Sequence, residues 1–112
     1  MGKRSLGEVG SRLLLENDRV KVWELRLDPG EESDLHEHTL DYVLVQVSGD
    51  RIAGAFEPDS AQHQGVVEVD VTPGATLFLE RGNIALARNV GRRPFHEIIV
   101  ELKDPADSGG AI

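Results

Sequence analysis

The chain has 112 residues, with 12 Lys or Arg against 20 Asp or Glu, for a formal net charge of −8. This length is typical of one domain, and we expect a single domain over residues 1–112 with its core at about residues 13–103. The negative charge repels phosphate backbones and anionic lipids, so we expect neither nucleic acid nor a membrane as a partner. The absence of cysteine excludes disulfides, thiolate nucleophiles and cysteine-based zinc sites.

We expect neither a secretory signal nor a membrane-spanning segment in this sequence. No apolar run approaches the ~20 residues that cross a bilayer, and the start, MGKRSLGEVG, lacks the apolar stretch of a secretory signal. We therefore expect a cytoplasmic protein. Residues 1–10 and 104–112 are polar or rich in Gly and Pro, and we expect both segments to be frayed.

Short strands separated by turns are predicted along most of the chain. Six segments of alternating, β-branched sequence lie at residues 19–27, 41–47, 66–71, 76–79, 84–89 and 95–102. Gly, Pro, Asn and Asp cluster between them. Only residues 12–16 resemble a helical turn. Many short strands at regular spacing predict an all-β sandwich or barrel.

The segment at residues 41–47 is apolar on both faces. One face carries Tyr42, Leu44 and Gln46, and the other face carries three valines. A strand of this kind is covered on both sides. We expect one side to face the barrel interior and the other to pack against a second sheet or a second subunit.

Two histidines dominate the chemistry that the sequence offers. His36 and His38 lie two residues apart in a segment predicted to be extended, which places both imidazoles on one face. This spacing suits one divalent metal ion, and imidazole nitrogen accepts Zn, Ni, Fe or Mn. Two alternatives remain: a histidine acting as a general base without metal, or a pair that only bonds to water or a carboxylate.

The region around the histidines resembles the first motif of the cupin family. That motif reads Gly, five residues, His-x-His, three or four residues, Glu, six residues, Gly. The matching residues are Gly30, His36, His38 and Gly49. Tyr42 stands at the position of the family's glutamate.

A later stretch resembles the second cupin motif, which reads Gly, five residues, Pro-x-Gly, two residues, His, three residues, Asn. The matching residues are Gly74, Gly82 and Asn89. Glu80 replaces the proline and Ala85 replaces the histidine. The resemblance covers about residues 20 to 103 and implies a double-stranded β-helix that commonly forms a homodimer.

The departures from the motifs bear on the metal site. A typical cupin holds its metal with three histidines and one glutamate, and the resemblance carries over only His36 and His38. Half of the ligand set is therefore missing. Tyr42 is a poor ligand unless a metal forces its deprotonation, because a phenol has a pKa of about 10. Ala85 supplies no ligand and leaves space.

Four residues are predicted to line a small-molecule pocket inside the barrel. They are Tyr42, Gln46, Ala85 and His96. Tyr42 either donates a hydroxyl to a ligand or fills the volume of the missing carboxylate. Gln46 either binds a ligand or satisfies a barrel carbonyl. His96 shares a face with Ile98 and Val100, and from there it would reach the interior as a third metal ligand or a satisfied core residue.

These observations leave the function open between two classes. The first is a metal-assisted enzyme that acts on a small polar metabolite through His36 and His38. The second is a metal-free ligand-binding, sensory or structural protein without catalysis.

Overall fold

Nine β-strands and no helix occur in residues 4–105, the part of the chain that this computed structural model describes. The strands are β1 (Arg12–Glu16), β2 (Val20–Leu27), β3 (His36–Glu37), β4 (Asp41–Ser48), β5 (Arg51–Phe56), β6 (Gly65–Asp70), β7 (Thr76–Leu79), β8 (Ile84–Asn89) and β9 (Phe95–Leu102). They form two antiparallel sheets, with the strand orders β1-β2-β9-β4-β7 and β3-β8-β5-β6. The predicted all-β class is confirmed. Within residues 4–105 no helix has the length and hydropathy to cross a membrane.

The predicted strands match six of the nine, and the differences have clear physical reasons. The expected helical turn at residues 12–16 is strand β1, whose leucines pair along the edge of β2, with Leu13 opposite Trp23. Strand β5 was not predicted, because its sequence RIAGAF contains Ala and Gly, which are weak strand formers. It is extended because β6 and β8 pair with it on both sides. Neighbouring strands therefore override local preference in both places.

The amino-terminal segment contributes to the core. The expectation that residues 1–10 are frayed is therefore wrong for the part of this segment nearest β1. Val9 is buried and belongs to the same apolar cluster as Trp23. The amide of Gly7 donates to the Leu35 carbonyl at 2.8 Å, which ties this segment to the loop before β3. Residues 1–3 and 106–112, also expected to be frayed, lie outside the described residues.

The core lies between the two sheets and is built largely by alternate residues of β2 and β9. Leu25 and Leu27 of β2 and Phe95 and Ile99 of β9 point inward and are almost fully buried. The turn after β4 is tight because Gly49 has φ 131°, and a Cβ there would meet the Phe95 ring at 3.1 Å. The turn therefore packs closely against Phe95 at this end of the core.

The outer face of the five-stranded sheet is apolar as well. Val43 of β4 pairs with Val100 of β9 on one side and with Phe78 of β7 on the other. The Phe78 side chain is 60% exposed, whereas the two valines are half-buried by their neighbours. The prediction that β4 is apolar on both sides therefore holds, and in the single chain only its inner side is covered.

Candidate functional site

A cavity of about 330 Å³ lies between the two sheets. Most of its wall is aliphatic, supplied by residues such as Leu44, Ile52 and Ile99. Val67 of β6 and Leu77 of β7 also line it and are exposed, so the cavity meets solvent near the free edges of these strands. This size and lining suit a small organic molecule.

His36 and His38 both line this cavity, as the sequence predicted, and both are buried. Strand β3 pairs with β8, which places His36 directly opposite Ala85. His36 Nδ1 lies 2.8 Å from the Asp34 carbonyl oxygen, and His36 Nε2 lies 3.1 Å from His38 Nε2. A carbonyl only accepts, so His36 carries its proton on Nδ1 and its Nε2 is an acceptor. Without a metal, His38 Nε2–H therefore donates to His36 Nε2.

Both imidazoles are held in the neutral form. Desolvation by burial lowers the pKa of His36. Desolvation, with a smaller contribution from the nearby His36, lowers the pKa of His38 to about 3. In the tautomer just described, His38 Nδ1 is an unprotonated nitrogen, and it is buried without a hydrogen-bond partner among the described residues. The pair is therefore uncharged near neutral pH.

Tyr42 lies in the cavity wall but does not point its hydroxyl at the histidine nitrogens as a ligand would. Its ring stacks on His38, with centroids 3.6 Å apart and planes 8° from parallel. Its hydroxyl accepts a hydrogen bond of 3.0 Å from Asn83 Nδ2. Burial raises the pKa of the Tyr42 phenol, which keeps it protonated. Tyr42 therefore occupies the place of the family's glutamate as a packed aromatic.

The donor set around the histidines fits a resident metal only in part. Among residues 4–105, no group of three or more His, Cys, Asp or Glu side chains is placed to hold an ion. Structural and catalytic sites generally use three or four protein ligands. A metal-binding histidine also usually donates its second N–H to a partner, as His36 does to Asp34, but His38 Nδ1 has none. The two imidazoles supply half of an ordinary site.

Gln46 lines the cavity and is held by the turn between β6 and β7. Its Oε1 accepts from the Thr72 amide at 2.9 Å. Its backbone amide donates to the Ala75 carbonyl at 2.9 Å, and its carbonyl accepts from the Gly74 amide at 2.7 Å. The Nε2 amino group of Gln46 makes no hydrogen bond with any described residue and is free for a ligand.

His96 lies on the opposite face of the sheet from the cavity, so the prediction that it lines the pocket is wrong. It extends from the outer face of β9, where its Nε2 lies 3.0 Å from Glu24 Oε1. The inward face of β9 instead carries Phe95, Glu97 and Ile99. The error arose because Ile98 and Val100 look like core residues, although they belong to the apolar outer face.

Besides His63, which also lines the cavity, the sequence reading missed Glu97. Its side chain lines the cavity, is 8% exposed and makes no hydrogen bond within residues 4–105. Desolvation by burial raises the pKa of Glu97 to about 8, so its carboxyl is mostly protonated near neutral pH. Alternation with Phe95 and Ile99 was the signal that would have placed it inside. Glu101, farther along the same face, accepts from Trp23 Nε1 at 2.7 Å and is thereby satisfied.

Comparison with known proteins shows similarity in structure. No protein-family profile and no curated protein sequence matches the chain. A cupin domain from Bordetella pertussis is 26% identical, with a TM-score of 0.71, over 92% of this chain and 100% of that one. An RmlC-like cupin family protein with a double-stranded β-helix from Methanocaldococcus jannaschii is 12% identical, with a TM-score of 0.65, over 92% and 91%.

An enzyme is also among the similar structures. The DMSP lyase DddQ from Ruegeria pomeroyi is 16% identical, with a TM-score of 0.57, over 82% of this chain and 42% of that one. At this identity the likeness concerns the fold alone. The resemblance to cupins that the sequence motifs carry is confirmed, together with the double-stranded β-helix that it implies.

Proposed function

We propose that this chain, which has the cupin fold, binds a small and mostly apolar molecule inside the barrel, without a resident metal. The observation that carries the proposal is the cavity of about 330 Å³ between the sheets. Such a volume accommodates a molecule with one or two rings, and the aliphatic wall favours an apolar body.

The polar groups of the cavity support binding without metal. His38 satisfies His36 Nε2 directly, and the Tyr42 hydroxyl is bonded to Asn83. In this arrangement the two facing Nε2 atoms and the Tyr42 oxygen are paired within the protein, whereas His38 Nδ1 stays unpaired among the described residues. Gln46 and Glu97 are left with free hydrogen-bonding groups, and a few convergent polar groups in an apolar cavity are typical of small-molecule sites.

The proposal is tested with a neutral fluorescent probe, N-phenyl-1-naphthylamine, added to chelator-treated protein. We expect saturable fluorescence enhancement and a higher Tm, because a ligand that binds only the folded state stabilises it. The matched control is Ala85→Phe, which adds a ring inside the cavity and is expected to weaken probe binding at least tenfold. Unchanged binding in this variant, or no binding by the wild type, would contradict the proposal.

A metal-assisted function is the second candidate, and one distance favours it. Two imidazole nitrogens bound to one ion at ~2.1 Å are about 3.0 Å apart at an octahedral angle and about 3.4 Å apart at a tetrahedral one. The His36 and His38 Nε2 atoms, 3.1 Å apart, lie within this range. The residues that would hold the ion are His36 and His38, and it would supply Lewis acidity to a bound molecule. Water or that molecule would complete the ligand set.

We also propose that the chain forms a homodimer through the outer face of the five-stranded sheet. Val43, Val100 and Phe78 form a continuous apolar row across three strands of this face. Neighbouring apolar side chains on the outer face of a sheet, with Phe78 60% exposed, favour a subunit contact there. Pairing of two such faces would cover the second side of β4.

A further inference from the structure

Glu97 and Gln46 lie side by side in the cavity. They occupy directly paired positions of β9 and β4, and both side chains line the cavity. Residues paired in this way have Cβ atoms about 5 Å apart. Because Thr72 occupies Gln46 Oε1, the Gln46 amino group is the end that remains available. The Glu97 carboxyl beside it has no partner within residues 4–105, so both groups are open to a ligand.

The surroundings of Glu97 keep its carboxyl uncharged. The described lining of the cavity includes no Lys or Arg that would stabilise a carboxylate. The other titratable groups that line it are His36, His38, Tyr42 and His63. His36, His38 and Tyr42 have pKa shifts that favour their neutral forms. Burial likewise raises the pKa of Glu97 to about 8. A protonated carboxyl presents an O–H donor and a C=O acceptor next to each other.

We propose that Glu97 and Gln46 select a ligand whose apolar body ends in a neutral amide group, with a C=O and an N–H side by side. This inference rests on the proposed function and names the chemical class of its ligand. The Glu97 hydroxyl donates to the ligand carbonyl, and the ligand N–H donates to the Glu97 carbonyl. The Gln46 amino group donates to the second lone pair of the ligand carbonyl. The Glu97 hydroxyl and carbonyl and the ligand carbonyl are then all paired, as buried polar groups require.

Charged head groups fit this arrangement less well. A carboxylate or phosphate would enter a cavity whose described lining has no Lys or Arg, in a chain of net charge −8. An ammonium group would require Glu97 to ionise, so two charges would lose their hydration in an apolar cavity. A neutral amide avoids both costs and still uses the donor and the acceptor of Glu97.

The test uses four probes that share one phenylpropyl body: 3-phenylpropanamide, 3-phenylpropylamine, 3-phenylpropanoate and propylbenzene. Binding is measured by titration calorimetry on full-length, chelator-treated protein. At pH 6.5 we expect the amide to bind at least tenfold more tightly than the other three. Its affinity is expected to fall as the pH rises through about 8, because an ionised Glu97 has no proton to donate.

Two variants separate hydrogen bonding from packing. Glu97→Gln keeps an amino donor beside a carbonyl acceptor, so it should retain amide binding and lose the pH dependence. Glu97→Leu removes both groups and should reduce amide binding to the level of propylbenzene. The pH series on wild-type protein keeps the test decisive even if the leucine variant does not fold.

The outcomes distinguish this inference from the proposed function. If propylbenzene binds and the amide gains nothing over it, the amide inference fails and the proposed function stands. Preference for the amine or the carboxylate, or full amide binding by Glu97→Leu, would also overturn the inference. If none of the four probes binds, the proposed function fails as well.

Discussion

The Nε2 atoms of His36 and His38 lie 3.1 Å apart, and the bond from His36 Nδ1–H to Asp34 leaves His38 as the only source of a proton between them. The two histidines therefore have opposite tautomers in the metal-free protein. We expect ¹⁵N-edited NMR of chelator-treated protein to show His36 protonated at Nδ1 and His38 at Nε2. Protonation of both rings at Nδ1 would contradict the hydrogen bond and would favour a metal between them.

Metal binding is tested by titrating Zn²⁺, Ni²⁺, Mn²⁺ and, without oxygen, Fe²⁺ into metal-free protein. With two protein ligands we expect weak binding, with Kd in the micromolar range or above, since tight sites use three or four ligands. His36→Ala and His38→Ala should each abolish it. His96→Ala is the matched control, because His96 lies on the opposite face and should leave any affinity unchanged. Stoichiometric metal in protein as purified would instead support the metal-assisted function.

Glu97 should make the protein less stable as the pH rises. Its pKa is about 8 in the folded state against 4.5 as the ordinary value, so between these values only the unfolded state gives up the proton. The free energy of unfolding should therefore fall by up to about 1.4 kcal/mol per pH unit in this window. Below it, both states are protonated and the effect disappears.

The matched variant for this effect is Glu97→Gln, which has no titratable group. The free energy of unfolding of both proteins is measured with urea at pH 5 and pH 8. The variant should become more stable relative to wild type as the pH rises. Other titrating groups contribute equally to both proteins and cancel. An unchanged difference would mean that Glu97 is already ionised in the fold.

The homodimer is tested by placing a charge on its proposed contact face. Phe78→Glu should convert the protein to a monomer in sedimentation equilibrium, because a desolvated carboxylate would face the partner. Val66→Glu is the control, since Val66 is 71% exposed on the other sheet and should leave the dimer intact. A monomeric wild type, or a dimer that survives Phe78→Glu, would exclude this interface.

Asn83 should be one of the most sensitive positions for stability. It has no exposed surface, donates to Tyr42 and Gln62, and accepts from Ser60 Oγ and the Gln62 amide. Asn83→Ala removes a hydrogen-bond partner from the buried hydroxyls of Tyr42 and Ser60, each at a cost of about 1–3 kcal/mol. We expect a Tm drop of at least 8 °C in a domain of this size. Ser60→Ala, which removes one hydroxyl of the same network, should cost less.

The sequence predicted most strands because alternation and turn residues are local signals. It did not predict β5, whose Ala and Gly become a strand only through pairing with β6 and β8. Nor did it predict that residues 12–16 extend along β2, since leucine runs favour helices when nothing pairs with them. Both errors arise because the extended shape of these segments depends on the strands that pair with them, which local preference does not show.

The site was predicted in part, for a related reason. The motif spacing directed His36, His38 and Tyr42 to the interior, and all three line the cavity although β3 and β4 belong to different sheets. Alternation alone does not say which face of β9 points inward. His96 and its apolar neighbours looked like the inner face, but the cavity takes Glu97 instead. A buried carboxyl runs against ordinary burial preferences, so sequence reasoning assigns it to the surface.

The three hydrogen bonds that tie Gln46 to residues 72–75 connect the protein's interior to its surface. That turn is mostly exposed, and surface turns tolerate substitution and insertion far better than barrel walls. Changes there would reorient Gln46 without altering any residue that a ligand touches. Related proteins would thus have a route to new ligand preferences through drift in an outer loop, and protein engineers could randomise this turn while the barrel stays intact.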